Sequence, residues 1–231
     1  MGAFDQLKSE VCRANRQLAA TGLVVLTWGN VSGIDRERQV VAIKPSGVAY
    51  ESLTPADMVV VDLDGAIVEG SLRPSSDTPT HLALYRAWDA IGGIVHTHSA
   101  CATMFAQACR PIPCLGTTHA DRFYGEIPVT RSLTEAEVAD DYETNTGAVV
   151  IERFAELSPV DTPAALVANH GPFAWAAGPA AAVETAVVVE EVARMALGTM
   201  RINPDAQPLM GYILDKHYQR KHGPNAYYGQ R

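Results

Sequence analysis

Met58-Val59-Val60-Val61-Asp62-Leu63-Asp64-Gly65-Ala66-Ile67-Val68 reads as two short strands folded back on each other. The β-branched run within Met58–Leu63 suits a pleated, buried surface. Asp64–Gly65 is the kind of dipeptide that accepts the positive backbone angles of a tight turn, and Ile67–Val68 resumes the extended pattern. Such a hairpin joins antiparallel neighbours, whereas parallel partners need a crossover of about a dozen residues or more. Upstream, the apolar runs Val24–Trp28 and Val40–Ile43 lie between turn residues and read as further strands. Phe4, Leu7, Val11, Ala14 and Leu18 recur at helical spacing, and Gly22 ends that first helix. Downstream, Thr78–Ala90 reads as a helix, Gly93–Thr97 as a buried strand and Ala100–Ala108 as a helix. Thr134-x-x-Glu137 is a capping box that opens another helix. Ala164–Asn169 and Phe173–Ala176 read as strands around Gly171–Pro172. Pro179 starts a helix that runs to about Leu197, and Pro208–Lys221 reads as the last. Strands joined by turns, without a regular strand–helix alternation, predict an α/β fold in the broad sense. The expectation is a single domain over residues 1–231, with a mostly antiparallel central β-sheet flanked by helices and no repeat or linker.

The composition, 47% hydrophobic and 19% charged over 231 residues, is that of a soluble globular protein. The net charge of -8 argues against nucleic acid as the main partner, because a phosphate backbone wants a basic surface. It leaves a small anionic ligand open, since a few local N–H groups and one Lys can hold a phosphate. The four cysteines, Cys12, Cys101, Cys109 and Cys114, form no C-x-x-C pair and are expected to be reduced, packed thiols. The first residues lack an apolar signal core. The most apolar stretch, Pro179–Val192, is broken by Glu184, Glu190 and Glu191, so no membrane span is expected. Cytoplasmic placement is the resulting expectation.

The chemistry-bearing cluster is His96-Thr97-His98 at the end of a strand. Side chains two apart on a strand share a face, so two imidazoles there can grip one ion. His170, just after the strand Ala164–Asn169, and Asp77, just before the helix at Thr78, are further candidates. Three nitrogens and one carboxylate suit Zn²⁺ or a similar divalent ion. Each alone has a blander reading: a turn histidine for His170, a helix N-cap for Asp77.

The surrounding segments decide between these. Leu26-Thr27-Trp28-Gly29-Asn30-Val31-Ser32, Ile43-Lys44-Pro45-Ser46-Gly47-Val48, Pro74-Ser75-Ser76-Asp77-Thr78-Pro79-Thr80-His81 and Gly92-Gly93-Ile94-Val95-His96-Thr97-His98-Ser99 resemble the class II aldolase/epimerase family of sugar-phosphate enzymes. So do Gly116-Thr117-Thr118-His119-Ala120-Asp121, His170-Gly171-Pro172-Phe173-Ala174-Trp175, Leu214-Asp215-Lys216-His217-Tyr218 and Ala226-Tyr227-Tyr228-Gly229-Gln230. The match spans nearly the whole chain. Asp77 in place of a usual aldolase Glu, the Thr-His-Ala-Asp segment and the Tyr-Tyr-Gly-Gln tail look like the branch that interconverts L-ribulose 5-phosphate and D-xylulose 5-phosphate at C4. One departure is Asn169, where the family pattern leads us to expect Ser before the histidine.

The resemblance implies a zinc-dependent isomerase of carbohydrate metabolism, in arabinose breakdown, with the ion held by Asp77, His96, His98 and His170. It implies a homotetramer of C4 symmetry with active sites between subunits, and it makes Asp121 and Tyr228 the proton acceptor and donor. Glu143 and His217 are further site residues by the same resemblance. Gly29, Asn30, Lys44, Ser46, Gly47, Ser75 and Ser76 lie in polar turns suited to a sugar phosphate, Ser75-Ser76 just ahead of a helix N-terminus. His81 and His222 are read as structural or solvent-facing. The proton on C4 of a 2-ketopentose phosphate is beta to the ketone, so no enolate stabilises its loss. The remaining routes are transient oxidation or cleavage of C3–C4. No G-x-G-x-x-G follows a strand, which leaves oxidation without a dinucleotide fingerprint. Retro-aldol cleavage and re-addition through a metal-stabilised enediolate is the expected mechanism. A class II sugar-phosphate aldolase and a 4-epimerase for another pentulose phosphate are the alternatives.

Overall fold

The computed structural model describes residues 2–228. Its centre is one seven-stranded sheet, ordered β4-β3-β2-β1-β5-β7-β6. The strands are β1 (Asn30–Asp35), β2 (Val40–Ile43), β3 (Val59–Asp62), β4 (Ile67–Glu69), β5 (Gly93–His96), β6 (Ala164–Val167) and β7 (Gly171–Ala176). Every pairing between these strands is antiparallel. The hairpin at Asp64–Gly65 forms as its sequence requires. Gly65 takes a φ of 89°, and Asp62 Oδ1 accepts the N–H groups of Asp64 and Ala66 at 3.0 and 2.9 Å.

One expected strand is absent. Val24–Trp28 is a loop, in which Leu26 has a φ of 55° and Val25, Leu26 and Trp28 are exposed. The strand begins later, at Asn30, in a segment polar enough to read as a turn. Its polar groups are satisfied in the interior. Asn15 of the first helix pairs with the Val31 backbone on both sides at 2.9 Å, so a buried polar residue costs little here.

Among the described residues there are seven α-helices: α1 (Asp5–Ala20), α2 (Thr78–Ala87), α3 (Ala100–Gln107), α4 (Thr117–Ala120), α5 (Glu135–Arg153), α6 (Pro179–Ile202) and α7 (Gly211–His222). The short α4 has no sequence signal. Alternation along the strands divides the core. Val31, Val95 and Ala174 pack with α3 and α6 on one face. Ile94, Phe173 and Trp175 pack with Leu82, Leu84 and Tyr85 of α2 and Val150 of α5 on the other. By the same period of two, Asn30, Ser32 and His96 belong to the α2–α5 face. Cys12 and Cys114 are buried as expected, but Cys109 is exposed. Among the described residues, no helix is long and apolar enough to cross a membrane.

Candidate active site

The site forms where three central strands end together. Register sets Asn30 of β1 beside His96 of β5, and His96 beside Phe173 of β7. The β6–β7 turn then delivers His170, after Asn169 turns the chain with a φ of 64°. Asn tolerates that left-handed conformation better than most residues, which accounts for it at a position where Ser was expected. Gly29 has a φ of 79°, and a Cβ there would lie 2.7 Å from the carbonyl oxygen of His96, so only glycine lets the loop close on β5.

His96, His98 and His170 each offer a ring nitrogen, and these nitrogens lie within 4.8 Å of one another. The Nε2 atoms of His96 and His98 are 3.0 Å apart. The His96 ring stacks on Phe173 at 4.2 Å between centroids, and its Nδ1 lies 3.0 Å from the Pro172 carbonyl. That carbonyl can only accept, so Nδ1 donates to it and Nε2 is left facing the cluster. Burial, with His96 and His98 alongside, pushes His170 down to about 3. Burial and His96 also lower His98. Three imidazole nitrogens this close together fit a divalent cation.

Asp77 is the residue at the N-cap position of α2, yet its side chain makes no cap hydrogen bond. Its Oδ2 instead accepts Asn30 Nδ2 at 2.6 Å. Burial works against its charge, but His96, His81 and the Asn30 bond hold it below the usual carboxylate range. It lines the cavity of the imidazoles without joining the tight set of nitrogens.

That cavity, of about 550 Å³, also takes in Trp28, Gly29, Asn30, Lys44, Ser46, Gly47, Ser75, Ser76 and Glu143. Lys44 is 2% exposed, and its Nζ donates to the Pro45 carbonyl at 3.3 Å and stands 4.8 Å over the Tyr50 ring. No carboxylate among the described residues pairs with it, and burial lowers its pKa. A buried cation without a counter-charge calls for an anion. Asn30 Oδ1 is likewise buried with no partner among the described residues.

Asp121 and Tyr228 do not line this cavity. Asp121 follows α4 and is gripped by α7. Arg220 donates to its two oxygens at 2.7 to 3.1 Å, His217 Nδ1 lies 3.0 Å from Oδ1, and Lys221 Nζ is 3.4 Å away. Against its burial, Arg220, His217 and Lys221 hold the carboxyl below its usual range. Tyr228 is exposed and lies over Arg220 and Lys221, 5.0 and 4.3 Å from their charged groups. Gly229 and Gln230 of the same tail lie outside the described residues. His217 therefore sits with Asp121, whereas Glu143 sits in the imidazole cavity. His81 is fully buried, and His222 is near the Asp121 carbonyl at 2.9 Å. Sequence reasoning missed Tyr142, Arg220 and Lys221. Tyr142 lies inside a helical pattern and has no local signal of its own, because the partner that marks it, His170, is distant in the chain.

Comparison with known proteins agrees with this architecture. Residues 9–197 match the family model described as class II aldolase and adducin N-terminal domain. Proteins named L-ribulose-5-phosphate 4-epimerase UlaF from Salmonella paratyphi A and Salmonella typhi are 59% identical over 228 residues, 99% of this chain and 100% of each relative. A solved L-fuculose 1-phosphate aldolase superposes with a TM-score of 0.79 at 27% identity, covering 95% of this chain and 97% of that one. The L-fuculose-1-phosphate aldolase from Thermus thermophilus gives 0.65 at 25% identity, over 89% of this chain and 99% of that one. With the family model spanning most of its length, the chain belongs to the class II aldolase and adducin family.

Proposed function

We propose that this protein is an isomerase that inverts C4 of L-ribulose 5-phosphate to give D-xylulose 5-phosphate. The carrying observation is that three converging imidazoles and a buried lysine without a carboxylate partner among the described residues share one cavity. Identity of 59% over full length to proteins named for that reaction supports the substrate.

A divalent ion, zinc by family resemblance, held by His96, His98, His170 and Asp77, would supply Lewis-acid stabilisation for an enediolate. The phosphate binds Lys44, the hydroxyl groups of Ser46, Ser75 and Ser76 and the N–H groups of Gly47 and Ser76, the two serines Ser75 and Ser76 leading into the N-terminus of α2. Gly29 keeps the chain close enough to β5 for Asn30 to line the same cavity and hold Asp77. Loss of the O4 proton lets the C3–C4 bond break, leaving its electron pair on the dihydroxyacetone half and forming glycolaldehyde phosphate. The aldehyde turns its other face, the bond re-forms, and O4 takes a proton from the opposite side. Asp121 and Tyr228 perform these two transfers. Arg220 and His217 keep Asp121 ionised and ready to accept.

Because the acid–base residues of a chain lie outside its own imidazole cavity, the site is completed by a neighbouring subunit in a C4 homotetramer of single-domain chains. The second reading, a class II aldolase that releases the aldehyde, is favoured by the likeness to L-fuculose 1-phosphate aldolase. The test is conversion of L-ribulose 5-phosphate by metal-analysed protein, with and without a chelator. Chelator-sensitive formation of D-xylulose 5-phosphate is expected. Release of free glycolaldehyde phosphate without epimer would move the reading to the aldolase.

A further inference from the structure

Tyr142 lines the imidazole cavity because α5 is broken beside it. Asp141 leaves helical geometry, with φ -140° and ψ 85°, and the helix restarts at Tyr142. Asp141 Oδ1 accepts the Thr144 N–H at 3.2 Å, which is the bond of a helix N-cap. The break is tied down on several sides. Asn145 Nδ2 reaches across it to the Glu137 carbonyl at 2.9 Å. Thr146 Oγ1 donates to the Tyr142 carbonyl at 2.8 Å, and Thr80 Oγ1 of α2 donates to the Glu143 carbonyl at 2.5 Å. The residue at the restart is thus held in place from its own helix and from α2.

The phenol meets His170, with Oη 3.3 Å from Nδ1. At His96 the equivalent nitrogen is bound to the Pro172 carbonyl, which leaves Nε2 for the cluster. An imidazole that offers Nε2 to a cation carries its proton on Nδ1, and the acceptor of that proton sets the tautomer and the ring orientation. For His170 the group at Nδ1 is Tyr142.

We propose that Tyr142 is a positioning residue for His170: its oxygen accepts the Nδ1 proton and aims Nε2 at the imidazole cluster. This rests on the reading of His96, His98 and His170 as the ligands of a divalent ion. The experiment titrates metal-free protein with Co²⁺, follows the ligand-field absorption bands, and measures affinity by competition with a chelator. Wild type is compared with Tyr142→Phe, which keeps the ring, and with His170→Asn. Wild type is expected to give bands that His170→Asn alters or abolishes. Tyr142→Phe is expected to bind at least about 10-fold more weakly, with shifted bands at saturation, while its metal-free unfolding midpoint stays that of wild type. Wild-type affinity and bands in Tyr142→Phe would overturn the role of Tyr142 and leave the ligand set standing. Wild-type bands indifferent to His170→Asn, or no bands at all, would overturn both. If Tyr142→Phe lowers metal-free stability, the saturated bands still decide: unshifted bands overturn the proposal.

Discussion

His81 shows how a single side chain ties the site to pH. It lies on the α2–α5 face behind the cavity, fully buried, with Nδ1 2.7 Å from Ser32 Oγ, which in turn is 2.9 Å from Tyr85 Oη. Burial drives its pKa down to about 3, with Asp77 opposing and His96 adding to the shift. In the unfolded chain a histidine titrates near 6.5. The unfolded state therefore takes up the proton first, and stability rises with pH. The contribution is complete above about pH 6.5 and is lost as pH falls toward about 3, amounting to about 2 kcal/mol for this residue by pH 5. His170 titrates in the same direction in metal-free protein. Denaturant unfolding of metal-free protein at pH 7 and pH 5 measures this. Wild type is expected to lose about 2 kcal/mol more than His81→Gln over that interval. Equal losses would remove His81 as the source.

Among the elements, β5 and the start of α6 are held in close backbone contact. A Cβ on Gly93, at the start of β5, would sit 2.4 Å from the Pro179 nitrogen and the Gly178 carbonyl carbon, backbone atoms that cannot swing aside. Gly93→Ala should push the start of α6 off the sheet and cost on the order of 1–3 kcal/mol, as overpacking does. Thermal unfolding reads the loss, and an unchanged midpoint would show that α6 yields freely. Two elements depart from their local pattern. The apolar run Val24–Trp28 lies outside the sheet beside the imidazoles, with Trp28 6.3 Å from the His98 ring. The polar Asn30–Gly33 is buried at the sheet centre instead, because Asn15 and β5 satisfy its backbone. Helix α5 keeps its expected capping box, with Thr134 and Glu137 bonded reciprocally. The break at Asp141 within it depends on α2 and is not marked by periodicity.

For the whole molecule, the separation of the imidazole cavity from the Asp121–His217–Tyr228 group sets the prediction. If subunits share sites, His96→Asn and Tyr228→Phe disable different components of one site. Each variant alone should lose most activity, the first with its metal and the second without losing it. Co-refolded at equal amounts, random assembly should restore about a quarter of wild-type activity, since each site then draws an intact component from both neighbours in about that fraction of cases. Activity of the mixture equal to the mean of the separate variants would place the complete site within one chain.

The hairpin at Asp64–Gly65, the first helix, the capping box and the H-x-H strand end are local features, decided by backbone preference and by periods of two and 3.6 residues. These sufficed for the sheet's antiparallel character and, with the family resemblance, for the imidazole trio. Tertiary structure alone decided that Asn30 outranks Val25 for a place in the sheet, that the carboxylate of Asp77 abandons its helix cap for Asn30, and that Tyr142 stands against His170. In each of these cases the deciding partner is far away in the chain, and the balance is between burying a polar group with a bond and leaving it without one. That balance depends on what a fold brings alongside, which no local pattern contains.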